Sequence, residues 1–162
     1  MSPSNAANNG IKTTFWGPHA WVFLFSTIAG SYPVRVDYNN SDHLHKVQAY
    51  VSMLKSLEHT LPCSFCRDSY SLFLKDLPIE NYTHSRREML YWLYQIHDKV
   101  NKKLIQQERE MYERKKATLR TKKLTPTQRK AALTKLKSKT LKTKTSPPFV
   151  QVVRMYNKHR AN

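Results

Sequence analysis

In four successive stretches of this chain, apolar residues recur at intervals of three and four. Only a helix gathers residues so spaced onto one face, so this part of the chain is committed to amphipathic helices. Phe15-Trp16-Gly17-Pro18 opens the first, which runs from His19 to about Gly30 with Trp21, Leu24, Phe25 and Ile28 as its stripe. Pro18 stands early enough to remove no needed hydrogen bond. Asn40-Ser41-Asp42 caps the second helix. Leu44, Val47, Val51, Leu54 and Leu57 (or Glu58) line it, and Pro62 ends it. The third begins there and stops before Pro78. Thr83 or Ser85 starts the fourth, with Glu88 placed to complete a capping box with Ser85. Met89, Leu90, Leu93, Ile96, Val100 and Leu104 form its stripe. Short loops between such segments predict an all-α four-helix bundle. Only three glycines occur, which argues against a turn-rich β fold. No glycine-rich phosphate loop is present, so any nucleotide has to be held another way.

Leu61-Pro62-Cys63-Ser64-Phe65-Cys66-Arg67 holds the only two cysteines of the chain. The C-x-x-C falls at the expected start of the third helix, and Ser69-Tyr70-Ser71-Leu72-Phe73-Leu74 continues it. A thiol there faces the positive end of the helix, with Arg67 beside it, so the thiolate is favoured at neutral pH. Thiolates attack disulfides and carry electrons. Three readings compete. Two buried structural thiols would belong inside an apolar run, which this is not. A zinc site needs four ligands; His59 or His84 would have to help, and no second C-x-x-C or H-x₃₋₅-H accompanies the pair, so no metal is expected. A redox-active dithiol remains, and the helical surroundings tell against the βαβ setting of a thioredoxin.

Charge divides the chain. The formal net charge is +17, and most of it lies between Lys102 and Lys144. Met111–Leu119 and Thr127–Leu136 are helix candidates there, with a turn at Thr125-Pro126-Thr127 and a cap at Thr127. One reading is a solvated extension; the other is a contact surface for nucleic acid or acidic partners. Tyr112 is the only aromatic in the segment, so nucleic acid would be held by its backbone and in a salt-sensitive way. No run is apolar and long enough to span a membrane. The apolar stretch Trp21–Ile28 is short and lacks the charged leader of a signal peptide, so secretion is not expected. Residues 1–10 are small and polar, which predicts disorder.

His97 and Asn101, four apart, project from one helical face. Together they can hydrogen-bond a purine or ribose, while Lys102 or Lys103 can meet a phosphate. Trp21 and Trp92 can stack on a flat ring. Taken singly, Trp21 is as readily a core residue and His97 a helix-edge polar residue. Taken in order, W-G-P-x-x-W, Y-P, P-C-x-x-C-R and H-x-x-V-N-x-x-L, from Phe15 to Leu104, resemble the Erv/ALR family of FAD-dependent sulfhydryl oxidases. Pro147-Pro148-Phe149 through Tyr156 resembles the family's C-terminal element.

That resemblance implies a helical bundle clasping FAD, usually as a homodimer. Its expected boundaries are a disordered start at 1–12, the FAD-binding bundle at 13–106, a basic insertion at 107–145, and a short fifth helix docking back at 146–162. It implies catalysis by Cys63 and Cys66, with Cys63 the more exposed sulfur and Cys66 nearer the flavin. Trp16, Gly17, Trp21, Phe25, His97, Val100, Asn101, Lys103 and Tyr156 would bind the cofactor. Protein dithiols or a separate thiol carrier would be oxidised, and dioxygen would become hydrogen peroxide. The chain departs from the family pattern at Phe25, where a His is usual, at Asp98 in place of Asn, at Leu104-Ile105-Gln106 in place of L-G-K, and at Tyr94 in place of a Cys. It has no second, shuttle dithiol. Short members from large DNA viruses share that economy and the W-G-P opening, which suggests a viral origin and a place in host cytoplasm or virion. The rival expectation is a basic nucleic-acid-binding or scaffolding protein with an incidental dithiol.

Overall fold

The computed structural model describes residues 10–160. In chain order, α1 spans Thr13–Ser31, α2 Ser41–Thr60, α3 Ser64–Asp76, α4 Arg86–Arg120, α5 Pro126–Thr140 and α6 Phe149–Asn157. A 3-10 turn at Ile79–Tyr82 lies between α3 and α4. No strand occurs among the described residues, only an isolated antiparallel bridge between Arg35 and Ser85. The chain is all-α, as the periodicity requires. The expected disorder at 1–12 falls largely outside the described residues; within the described part, Ile11 N–H is bonded to Pro62 O.

Two compact units emerge: one ends at Ile96 and resumes at Pro148, and the other is His97–Pro147. The first contains α1, α2, α3, the start of α4, and α6. Its core takes Leu24 and Ile28 from α1, Leu54 from α2, Met89, Leu93 and Ile96 from α4, and Val152 from α6. Each such side chain contributes about 1.5–3 kcal/mol by leaving water. Two large core side chains have their polar atoms matched. The Tyr70 hydroxyl donates to Leu54 O at 2.8 Å, tying α3 to α2. The Trp92 indole donates to Leu77 O at 3.0 Å and Trp92 is fully buried, so Trp92 is a core residue and not a stacking surface for a ligand. Asn40 caps α2 as expected, accepting from Asp42 and His43. Ser85 accepts from Glu88 N–H, while the Glu88 carboxylate reaches one residue further back than a capping box requires, to His84 N–H.

α4 differs from expectation. It runs unbroken to Arg120 instead of ending near Gln106. Nothing between Arg86 and Arg120 stops a helix: the stretch has no Gly and no Pro. Side-chain pairs such as Gln106–Glu110 and Lys116–Glu113 add support where the apolar stripe fades. The second unit thus consists of the rest of α4, α5 and the segment after it. Thr125, not Thr127, caps α5, in a full capping box with Gln128 and with Pro126 in the first turn. Arg129 donates to the carbonyls of Arg120 and Lys122, closing the end of α4. At the other end Glu108 accepts from the backbone of Lys142 and Thr143 and from the Thr143 hydroxyl, at 2.8–2.9 Å. α5 therefore returns antiparallel to α4, and the unit is a closed helical hairpin.

Candidate active site

Cys63 and Cys66 are joined as a disulfide at the start of α3, with Cα atoms 5.1 Å apart. Cys63 is the N-cap residue, and its sulfur accepts from Cys66 N–H at 3.3 Å. Pro62 ends α2 as a helix, and the extended Cys63 lets α3 begin at Ser64. Cys66 therefore sits in the first turn of α3, where its N–H also donates to Cys63 O at 3.1 Å. A sulfur released there as thiolate is stabilised by the helix's positive end. Arg67 also has a structural bond. Its guanidinium donates to Leu61 O at 2.6 Å, fastening the end of α2.

The expected order of exposure is reversed. Cys63 is 8% exposed and Cys66 half-buried. The cause is the chain just before α1. Ile11 N–H donates to Pro62 O at 2.8 Å. Gly10, at φ +80°, lies so close that a Cβ there would come within 2.7 Å of the Pro62 carbonyl carbon and 3.3 Å of Cys63 Cα. Only glycine tolerates both that conformation and that approach. The Trp16 indole donates to Ile11 O at 3.0 Å, so Trp16 secures this strap. Gly10 and Ile11 were not marked by sequence; a glycine ahead of the W-G-P opening was the one available signal.

Of the other expected residues, Trp21, Phe25 and Tyr156 form one aromatic wall. Phe25 and Tyr156 stack with centroids 5.3 Å apart, and Trp21 lies 6.5 Å from Phe25. Phe25 is 3% exposed, packed within the core. Burial pushes the Tyr156 hydroxyl above its ordinary range. Gly17 leaves open space where a side chain would stand. Gln95 Nε2 is buried with no hydrogen-bond partner. A cluster of apolar rings, a buried amide donor without a partner and the disulfide lie in one unit, and these residue types suit a flavin nucleotide. Sequence reasoning missed Gln95.

His97, Val100, Asn101 and Lys103 stand on α4 in the second unit. Burial holds the His97 imidazole below its usual range, against an opposing pull from Asp98. Asn101 donates to the Ser146 hydroxyl at 2.8 Å. Asp98 shares Ser146 and meets Lys102 at 2.7 Å. Burial works against the Asp98 charge, but these bonds hold its carboxyl below the usual range. Asn101 and Asp98 thus grip the segment that follows α5, a role the helix spacing alone did not disclose. No group of three or more His, Cys, Asp or Glu able to hold a metal occurs among the described residues. No helix among them is long and apolar enough to cross a membrane.

The mitochondrial FAD-linked sulfhydryl oxidase ERV1 of Saccharomyces cerevisiae is 27% identical over 88 residues, which make up 54% of this chain and 42% of that protein. The chain thus matches well under half of that relative's length. The crystal structure of the yeast Erv1 core aligns at TM-score 0.49 and 24% identity, covering 64% of this chain and 82% of that one. The profile of the Erv1 / Alr family matches residues 18–122, the greater part of the chain, including the C-x-x-C. The chain belongs to the Erv1 / Alr family.

Proposed function

We propose that this chain is an FAD-dependent thiol oxidase that makes disulfides in protein dithiols, or in a separate thiol carrier. The observation that carries this reading is a lone disulfide at the N-cap of α3, in a chain of the Erv1 / Alr family. The rival, a basic binding protein with an incidental dithiol, does not account for that placement.

A substrate thiolate attacks one sulfur of the Cys63–Cys66 bond, forming a mixed disulfide and releasing the other sulfur as thiolate. A second substrate thiol then resolves the mixed disulfide. The substrate gains one disulfide, and Cys63 and Cys66 take up its two electrons. Attack at Cys63 is favoured chemically, because the leaving thiolate is then Cys66, in the first turn of α3. For that attack the Gly10–Ile11 strap has to lift from Pro62, so access to Cys63 is gated by one backbone hydrogen bond and the glycine beneath it. Bound FAD would supply the two-electron oxidation of the dithiol and the return of those electrons to dioxygen as hydrogen peroxide. Of the first unit's residues, Trp21, Tyr156 and Gly17 would face its rings.

Phe15, Val22 and Phe23 stand exposed within one sector of α1. This apolar face would serve as the contact of a homodimer. An origin among large DNA viruses, with work in host cytoplasm or virion, belongs to the same proposal and rests on the motif resemblance. Oxygen uptake tests the activity. The purified protein should consume dioxygen and yield hydrogen peroxide on addition of a small dithiol, and C63S and C66S should not. Uptake that survives both substitutions contradicts it.

A further inference from the structure

We infer that the helical hairpin His97–Pro147 is a binding module for the phosphate backbone of duplex nucleic acid, a function separate from thiol oxidation. Between Arg114 and Thr145 there are thirteen lysines and arginines and not one aspartate or glutamate. Lys122 and Lys123 at the tip, Lys130, Lys135, Lys137 and Lys139 along α5, and Lys142 and Lys144 beyond it are all exposed. The acids of the unit lie nearer its base. Glu108 binds the returning segment and Glu113 meets Lys116, so the tip and α5 carry one sign of charge.

A flexible linker needs no such construction. The capping box at Thr125, the Arg129 closure and the Glu108 latch hold like charges close together against their mutual repulsion. A concentrated, fixed positive field is what a polyanion with regularly spaced charges rewards, through release of its condensed counterions. Among the polar residues between the cations, the exposed Thr127 carries a hydroxyl that suits a phosphate oxygen.

The composition also selects the partner. Lysine, a point charge, outnumbers arginine ten to three in this span, and Arg129 is engaged in closing the hairpin. Forked readout of base edges is therefore not the design. Tyr112 is the only aromatic of the unit and is half-buried, so bases have nothing to stack on, and the double helix is favoured over single strands. A membrane surface would call for Trp, Phe or Leu exposed opposite the charged face. On α5 the apolar Ala132, Leu133 and Leu136 are half-buried instead. Binding should be independent of sequence and strongly dependent on salt.

The test is fluorescence anisotropy of the full chain with two unrelated duplexes of about 30 base pairs, one turn of DNA being about 34 Å. Both duplexes should bind alike, and affinity should fall on the order of 10²–10⁴-fold between 50 and 200 mM salt. The variant K122Q/K123Q/K130Q/K137Q, checked for unchanged helicity, should bind at least tenfold more weakly at low salt. Its slope of log K against log salt should be shallower by about 3 to 4, since each phosphate contact contributes about 0.9. Should that variant lose helicity, K135Q/K139Q/K142Q/K144Q should give the same result. No binding at 50 mM salt, a slope unchanged by substitution, or tighter binding to phosphatidylserine vesicles or to an acidic peptide than to duplex would overturn the inference.

Discussion

Gly10 is a single backbone position set directly against the disulfide-bearing turn. Its positive φ and its contact with Pro62 and Cys63 leave no room for a side chain, so G10V should push the strap off the disulfide. With the protein reduced, Cys63 should then react faster with an alkylating probe, by roughly fivefold, the value of one net hydrogen bond of about 1 kcal/mol. An unchanged rate would mean that the strap does not limit access. A glycine ahead of the W-G-P opening was the one hint in the sequence, and it did not name the partner. The bond joins Ile11 to Pro62 across the whole of α1 and α2, and no local pattern encodes a contact at that separation. Cys63 and Cys66 were legible because their chemistry follows from a spacing of three and a helix start. The bond from Arg67 to Leu61 O was not legible, because it joins residues six apart across the break between two helices.

Among the elements, the helices of the first unit were legible because apolar periodicity is a local signal and Leu24, Ile28, Leu54, Met89 and Leu93 all turn inward. Helix ends were less so. α4 continues to Arg120 because no residue stops it, and the absence of a stop is harder to read than its presence. The latch on its second half makes a pH-dependent element. Burial opposes ionisation of Glu108, yet the bonds from Thr143 and Lys142 hold its carboxyl below the usual range. A depressed folded value means that the latch stabilises the hairpin fully above the unfolded value of about 4.3 and loses that contribution as pH falls through the folded value. Hydrogen exchange should show the amides of Lys142 and Thr143 protected at neutral pH and released in acid. E108Q should reduce their protection at neutral pH. Protection that ignores both changes would remove Glu108 from the account.

For the whole molecule, one chain combines a sulfur pair held by a helical bundle with a hairpin of concentrated positive charge. The proposed homodimer would use the exposed apolar sector of α1. V22D places a charge in that sector, where leaving it buried and unpaired costs several kcal/mol, so sedimentation should show the parent as a dimer and V22D as a monomer. A V22D dimer at equal concentration would locate the contact elsewhere. The central claim, however, is that Cys63 and Cys66 exchange electrons with a bound flavin. The most direct measurement is the visible absorbance of the purified protein before and after anaerobic addition of a dithiol. The parent should show a flavin band that bleaches, and C66A should keep the band but fail to bleach. A colourless parent, or a C66A band that bleaches like the parent's, would contradict the account.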